Sequence, residues 1–221
     1  MLDKIRKACS INDKILFEIK QKLEKKDFLT EKDIAEFINK ETKRFNCKPA
    51  FEPIVSTGKN TSEIHHKPSN KKIGKGFLMF DFGVKYKGYC SDITRMFYIG
   101  KPSKKEILLY TLVLLAQETA LMYAQPGVYA ADVDLIARNI LLKHFQNFRH
   151  SVGHGVGKKI HMAPSLRPRG RAILKENDVV TIEPGLYFSD RFGVRIEDTI
   201  VVKKKPEILT KFTKNLVLIK S

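Results

Sequence analysis

Two aspartates eleven residues apart in DFGVKYKGYCSDITR (81–95) constrain this chain more than any other feature. The stretch reads as a β-hairpin. Lys85-Tyr86-Lys87-Gly88 is its turn, since Gly supplies the positive φ that a tight reversal needs. With Tyr86-Lys87 at the apex, Asp81 and Asp92 face each other, their Cβ atoms roughly 5 Å apart. Two carboxylates that close repel unless a proton or a cation lies between them. That electrostatic problem makes a metal the suspect, so the remaining sequence is searched for further ligands.

A second hairpin answers the first. Val179–Glu183 and Val194–Val202 read as strands around a turn at 189–193, which places Glu183 nearly opposite Glu197. Both glutamates interrupt apolar strands, VVTIEP and VRIEDTIVV. Buried there without a partner, each would cost several kcal/mol. His154, in the glycine- and histidine-rich run HSVGHGVGKKIH (150–161), completes a set of four carboxylates and one imidazole. Asp81, Asp92, His154, Glu183 and Glu197 form a hard, oxygen-rich group suited to Mn²⁺, Co²⁺, Fe²⁺ or Zn²⁺. Four negative charges call for two divalent ions, about 3.5–4 Å apart, with two carboxylates bridging. Between such ions a hydroxide is a nucleophile at neutral pH.

The rest of the chain frames these hairpins. Residues 2–25 carry Ile5, Ile11, Ile15, Leu16 and Ile19 at helical spacing. Thr30 with Asp33 resembles a capping box for a second helix that buries Ile34, Phe37 and Ile38. Phe51–Thr57 is a strand candidate and 64–68 a loop. Ser103 and Glu106 cap a helix running to about Tyr123. Its apolar stretch is broken by Gln117 and Glu118, so it reads as a buried core helix and not a membrane span. A further helix covers roughly 130–145. The pattern predicts an α+β domain of two similar halves closing their carboxylate pairs around one site.

At 221 residues the chain suits one domain with a sizeable core. Its formal net charge of +17 is spread over scattered lysines, without a basic tail or a nucleic-acid-binding motif. A solvated basic surface is therefore expected, not a nucleic-acid site. Cys9, Cys47 and Cys90 are odd in number and widely spaced, which predicts free thiols and a cytoplasmic setting. The N-terminus lacks the apolar core of a signal peptide.

DFGVKYKGYCSDITR, HSVGHGVGKKIH, TIEPGLYF and GVRIEDTIVV occur in this order across most of the chain, from about Phe51 to Val202. Together they resemble the metallopeptidase family with the pita-bread fold, which includes methionine aminopeptidases, Xaa-Pro aminopeptidases and prolidases. The resemblance implies a curved antiparallel sheet covered by helices, in two pseudo-symmetric halves. It also implies that Asp81, Asp92 and Glu197 bind one ion, and Asp92, His154, Glu183 and Glu197 the other. His65 and His161 would contact the scissile peptide and stabilise or protonate the tetrahedral intermediate, while Glu183 shuttles a proton to the leaving nitrogen.

SDITR, GVRIED and the TGKN…HH segment favour the proline-specific branch. The implied activity is removal of the residue preceding proline, or splitting of an Xaa-Pro dipeptide, with Mn²⁺ or Co²⁺ preferred. Arg195 matches an arginine of that branch that supports the site, and it is also a candidate substrate contact. Arg169, from the APSLRPRGR loop, is the candidate to grip a dipeptide carboxylate. Methionine aminopeptidase is an alternative, favoured by the short single-domain architecture. A non-catalytic binding module on the same fold is another. Larger relatives carry an N-terminal domain that helps them dimerise; here residues 1–50 look like the catalytic domain's own opening helices, and a homodimer is the assembly the family suggests. Two further departures are Met162, where an acidic residue usually follows His161, and His66, where a tyrosine is common.

Overall fold

The computed structural model describes residues 1–220. Helices α1 (Leu2–Glu24) and α2 (Glu31–Arg44) open the chain. Strands β1 (Lys48–Pro49) and β2 (Ile54–Thr57) lead through a 3₁₀ turn (Gly58–Ser62) to β3 (Gly76–Phe82), β4 (Val84–Tyr86), β5 (Tyr89–Cys90) and β6 (Ile93–Ile99). Helices α3 (Lys104–Tyr123) and α4 (Ala130–Ile140) follow, then a second 3₁₀ segment (Leu142–Asn147). The second half holds β7 (Gly153–Gly155), β8 (Met162–Leu166), β9 (Val179–Ile182), β10 (Gly185–Phe188), β11 (Phe192–Arg195) and β12 (Asp198–Val201). The short strands β13 (Glu207–Ile208) and β14 (Val217–Ile219) come last.

Local chemistry accounts for the helix boundaries. Thr30 and Ser103 are N-caps, each in a reciprocal capping box with Asp33 and Glu106 respectively. All five expected apolar positions of α1 are buried. In α2, Ile34 and Ile38 are buried, while Phe37 is partly covered and packs edge-on against Phe28. Helix α4 ends earlier than its apolar spacing predicts. Beyond Leu141, the exposed Leu142 and Phe145 no longer face a core that could hold another α-turn.

Each half contributes one main sheet. Strands β14-β6-β3-β2 form the first, antiparallel except for the parallel β14–β6 pair. Strands β13-β12-β9-β7-β8 form the second, antiparallel throughout. The parallel pair departs from the all-antiparallel expectation. It arises because the C-terminal segment returns to the outer edge of β6.

Helices α1 and α2 cover the first sheet, with Ile15, Ile19 and Ile34 against Leu78, Phe80 and Phe97. Helices α3 and α4 cover the other side of the core, with Val113, Ala120 and Val133 among Met79, Val180 and Ile200. Helix α3 is only half a core helix. Leu109, Val113 and Ala120 are buried, but Leu108, Leu115 and Met122 on its outer face are exposed. By length and composition alone it could cross a membrane. All three cysteines are free and buried, as their spacing predicts.

Candidate metal centre

The first hairpin turns one residue later than expected. Lys87 and Gly88 both take positive φ, +46° and +85°. They form the two-residue loop whose twist suits a hairpin. Tyr86 therefore pairs with Tyr89, and Lys85 with Cys90. Further down, Asp81 faces Thr94 and not Asp92. Asp92 falls in a break between the two ladders. There the Ser91 hydroxyl takes the place of a strand neighbour, accepting from Val84 N (3.1 Å) and donating to Val84 O (3.2 Å).

The second hairpin keeps the expected register. Ile182 pairs with Asp198 and Gly185 with Arg195, which leaves Glu183 and Glu197 at matching positions in the gap between ladders. Freed from the hairpin, their amides bond elsewhere. Glu183 N donates to Val152 O (2.7 Å), ahead of β7. Glu197 N donates to Thr94 O (3.2 Å) on β6, an isolated bridge that stitches one half of the molecule to the other.

The breaks at Asp92, Glu183 and Glu197, with Asp81 projecting from β3, bring the acidic side chains to one cavity of about 820 Å³, lined by Asp81, Asp92, His154, Glu183 and Glu197 together with His65 and His161. His154 Nε2 lies 3.2 Å from Glu183 Oε1 and 3.6 Å from Asp92 Oδ2. Thr181 Oγ1 donates to Glu183 Oε1 (3.1 Å), and Thr94 Oγ1 to Glu197 Oε2 (2.7 Å). Arg195 Nη2 donates to Asp81 Oδ2 (2.5 Å). Two buried oxygens, Asp92 Oδ1 and Glu197 Oε1, have no hydrogen-bond partner among the described residues. Ligand atoms of Asp92, His154 and Glu197 lie within 4.8 Å of one another.

The electrostatics fit a cation. Burial, reinforced by Glu197, Asp81 and Glu183, pushes the Asp92 carboxyl well above its ordinary range. Burial and the charges of Glu183 and Asp81 do the same to Glu197. Burial also raises Asp81, against the pull of Arg195. Glu183 goes the other way: burial opposes its ionisation, but the bond to His154 together with the charges of His154, His150 and Arg195 outweighs it and brings the carboxyl down to about 2. Without a cation, the cluster is relieved by protons on Asp92 and Glu197. A divalent ion held by Asp92 and Glu197 would replace those protons and satisfy the orphaned oxygens. The donor set thus fits divalent metal.

The flanking groups fall as follows. His161 stacks edge-on against His154, ring centroids 4.4 Å apart. Burial and the neighbouring His154 lower its pKa, favouring the neutral ring. His65 is exposed at the cavity wall. Arg195, expected to touch substrate, is buried and engaged with protein partners. Besides Asp81 it donates to Tyr187 Oη (2.7 Å) and Thr94 Oγ1 (3.1 Å), so it braces the centre. Arg169 sits on the exposed loop after β8, at φ +59°, and does not line the cavity.

Two groups escaped the sequence reading. His150 lines the cavity, and burial lowers its pKa to about 4. Its Nδ1 faces Ser151 O (2.8 Å), an acceptor, so Nδ1 carries the proton. Its Nε2 then accepts from Tyr187 Oη (2.8 Å), which itself accepts from Arg195. The motif HSVGHGVG displayed His150 four residues before His154, but its partner Tyr187 is only apparent in three dimensions. The second group is Glu31, the first residue of α2, fully buried, with no sequence signal beyond its place behind a cap.

Comparison with known proteins agrees with this geometry. The model of metallopeptidase family M24 matches residues 3–204. The Xaa-Pro dipeptidase of Pyrococcus horikoshii is 39% identical over 219 residues, covering 96% of this chain and 62% of that protein. Among solved structures, the X-Pro aminopeptidase of Thermotoga maritima superposes with a TM-score of 0.93 at 34% identity, covering 99% of this chain and 63% of that one. The prolidase of Pyrococcus horikoshii gives 0.91 at 36%, covering 98% and 63%. The chain spans about three fifths of the length of these relatives, 58% and 62% for two of the curated ones. With the family model matching most of its length and the pita-bread fold superposing throughout, the chain belongs to metallopeptidase family M24.

Proposed function

We propose that the chain hydrolyses the peptide bond between an N-terminal residue and proline, with two divalent ions held by Asp81, Asp92, His154, Glu183 and Glu197. The observation that carries the reading is the pair of buried, unpartnered oxygens on Asp92 and Glu197 amid four converging carboxylates. The names of its relatives, an Xaa-Pro dipeptidase and an X-Pro aminopeptidase, support the proline preference. A binding module would have no need for so costly a cluster. Bound, the ions supply Lewis acidity and lower the pKa of water.

The protein's own groups do the rest. Glu183 is ionised and within reach of His154, placed to take a proton from water and deliver it to the leaving nitrogen. His161 and His65 bind the scissile carbonyl from the cavity wall. Arg195 and Tyr187 hold Asp81 and His150 in place. An Xaa-Pro bond has no N–H, so the apolar wall of Phe51, Pro53 and Ile64 can take the ring without leaving a donor unpaired. Mn²⁺ or Co²⁺ as the working ions, a cytoplasmic setting and a homodimer belong to the same proposal.

The test is hydrolysis by the purified chain, loaded with Mn²⁺ or Co²⁺, of an Xaa-Pro dipeptide, an Xaa-Pro-peptide and Met-Ala-Ser. Cleavage of the proline substrates is expected, and their relative rates set the length preference. Cleavage of Met-Ala-Ser alone would reassign the specificity to methionine, and a metal-loaded chain inert on all three would remove the catalytic reading.

A further inference from the structure

We infer that Glu31 is a positioning residue, a buried anionic clasp that fixes the 57–69 segment and thereby sets His65 against the cavity. The inference rests on the reading of His65 as a substrate contact. Glu31 projects from the first turn of α2 and is fully buried. It forms no ion pair with Lys or Arg among the described residues. Instead it gathers donors from the end of β2, the 3₁₀ turn and the loop beyond. Oε1 accepts from Thr57 N (2.8 Å) and Asn60 Nδ2 (2.9 Å). Oε2 faces His66 Nε2 (2.9 Å) and accepts from Ser69 N (3.1 Å) and Ser69 Oγ (2.7 Å).

Every partner can donate and none needs to accept, so an ionised carboxylate is the only side chain of this size that satisfies them all. Hydrogen bonds to a charged acceptor are about twice as strong as neutral ones. His66 extends the clasp, its other ring nitrogen lying 2.8 Å from Glu63.

The segment is tethered from the other half of the molecule as well. Gly193 N donates to Thr61 Oγ1 (2.7 Å), and Arg149 Nη2 to Ser62 O (3.1 Å). Ile64 and His65 span the gap between these two anchorages. Among the described residues, His65 makes no side-chain hydrogen bond that would orient it directly, so its place on the wall depends on the backbone. A tyrosine at position 66 would, like the histidine, present a donor at the end of a ring.

The experiment compares wild type, Glu31→Gln, His65→Ala and the double variant, all metal-loaded. The amide introduced by Glu31→Gln would turn a donor toward donors. Glu31→Gln should lower kcat/KM on an Xaa-Pro peptide by roughly tenfold to a hundredfold, as expected for a displaced contact group. Metal content should be unchanged, and amide hydrogen exchange across 57–69 should rise. In the His65→Ala background the same change should add no more than about twofold. Equal losses in both backgrounds would mean that Glu31 serves only general stability, and overturn the inference. So would unaltered exchange and activity in Glu31→Gln.

Should Glu31→Gln fail to fold, His66→Phe and His66→Tyr decide through exchange. The first should loosen 57–69 and the second should not; equal loosening overturns the clasp. If wild type cleaves no peptide, the catalytic reading falls, and exchange across 57–69 in Glu31→Gln alone judges the clasp.

Discussion

A methyl group on Gly153 would test whether the geometry of the centre is set by backbone contact between β7 and β9. A Cβ built at Gly153 would lie 1.9 Å from Thr181 O and 2.8 Å from its carbonyl carbon. Relieving this to a contact of about 3.5 Å requires the strands to part by about 1.6 Å. The obstacle is main chain, which cannot rotate out of the way. Gly153 immediately precedes His154, whose amide donates to Thr181 Oγ1 at 3.1 Å. The imidazole would move with the strand, and a separation of 3.2 Å from Glu183 does not survive such a shift. Overpacking of this kind costs about 1–3 kcal/mol in stability. Misplacing an active group by about 1 Å can cost on the order of a hundredfold in rate. The assay is Mn²⁺ binding by calorimetry together with the thermal midpoint. Gly153→Ala should bind metal more weakly and melt several degrees lower. Gly74→Ala, where a Cβ meets nothing within 4 Å, should stay within about 0.5 kcal/mol of wild type. Wild-type Mn²⁺ affinity in Gly153→Ala would refute the reasoning, because the strands would then have room the geometry denies them.

Other perturbations follow from the same structure. Asp92→Asn keeps the side-chain shape but removes a charge from the centre; metal retained after dialysis, measured by elemental analysis, should fall, with affinity down by more than about a hundredfold. His150 gives a pH signature. Its ordinary value of 6.5 falls to about 4 on folding, so between these limits the unfolded chain holds a proton that the folded chain refuses. Stability is therefore lost as pH falls through that window, by about 3 kcal/mol in full, and urea titrations of His150→Phe should show a shallower loss. Ser103→Ala removes the N-cap of α3, and urea unfolding should report about 1 kcal/mol of destabilisation.

Much of this was legible in the chain, for identifiable reasons. Capping is local chemistry, so Thr30 with Asp33 and Ser103 with Glu106 announced two helices at the right residue. The glutamate hairpin had a turn centred on Asp190, which takes φ +58°, so its register could be read off directly. The aspartate hairpin reads with Tyr86-Lys87 at its apex, but Lys87 and Gly88 take the left-handed backbone and shift the pairing by one residue. The five candidate ligands nonetheless converge: Asp92, Glu183 and Glu197 sit where the ladders break, while Asp81 and His154 project from paired positions of β3 and β7. Glu31, Tyr187 and the brace role of Arg195 were beyond local reading. Their partners lie far off in sequence, 114 residues in the case of Arg195 and Asp81. The outer face of α3 was missed because its composition is apolar all round, leaving no periodicity to separate inside from outside.

The bridge between Thr94 and Glu197 also has a kinetic meaning. It closes a loop of more than a hundred residues, with partners 103 apart in the chain. Contacts that distant form late, after most of the chain entropy has been lost. The aspartates arrive with one half and the glutamates with the other, so the full donor set exists only once the two halves have docked. A metal bound by that donor set would act on the finished molecule as a clamp across its seam, slowing its opening far more than it hastens its assembly.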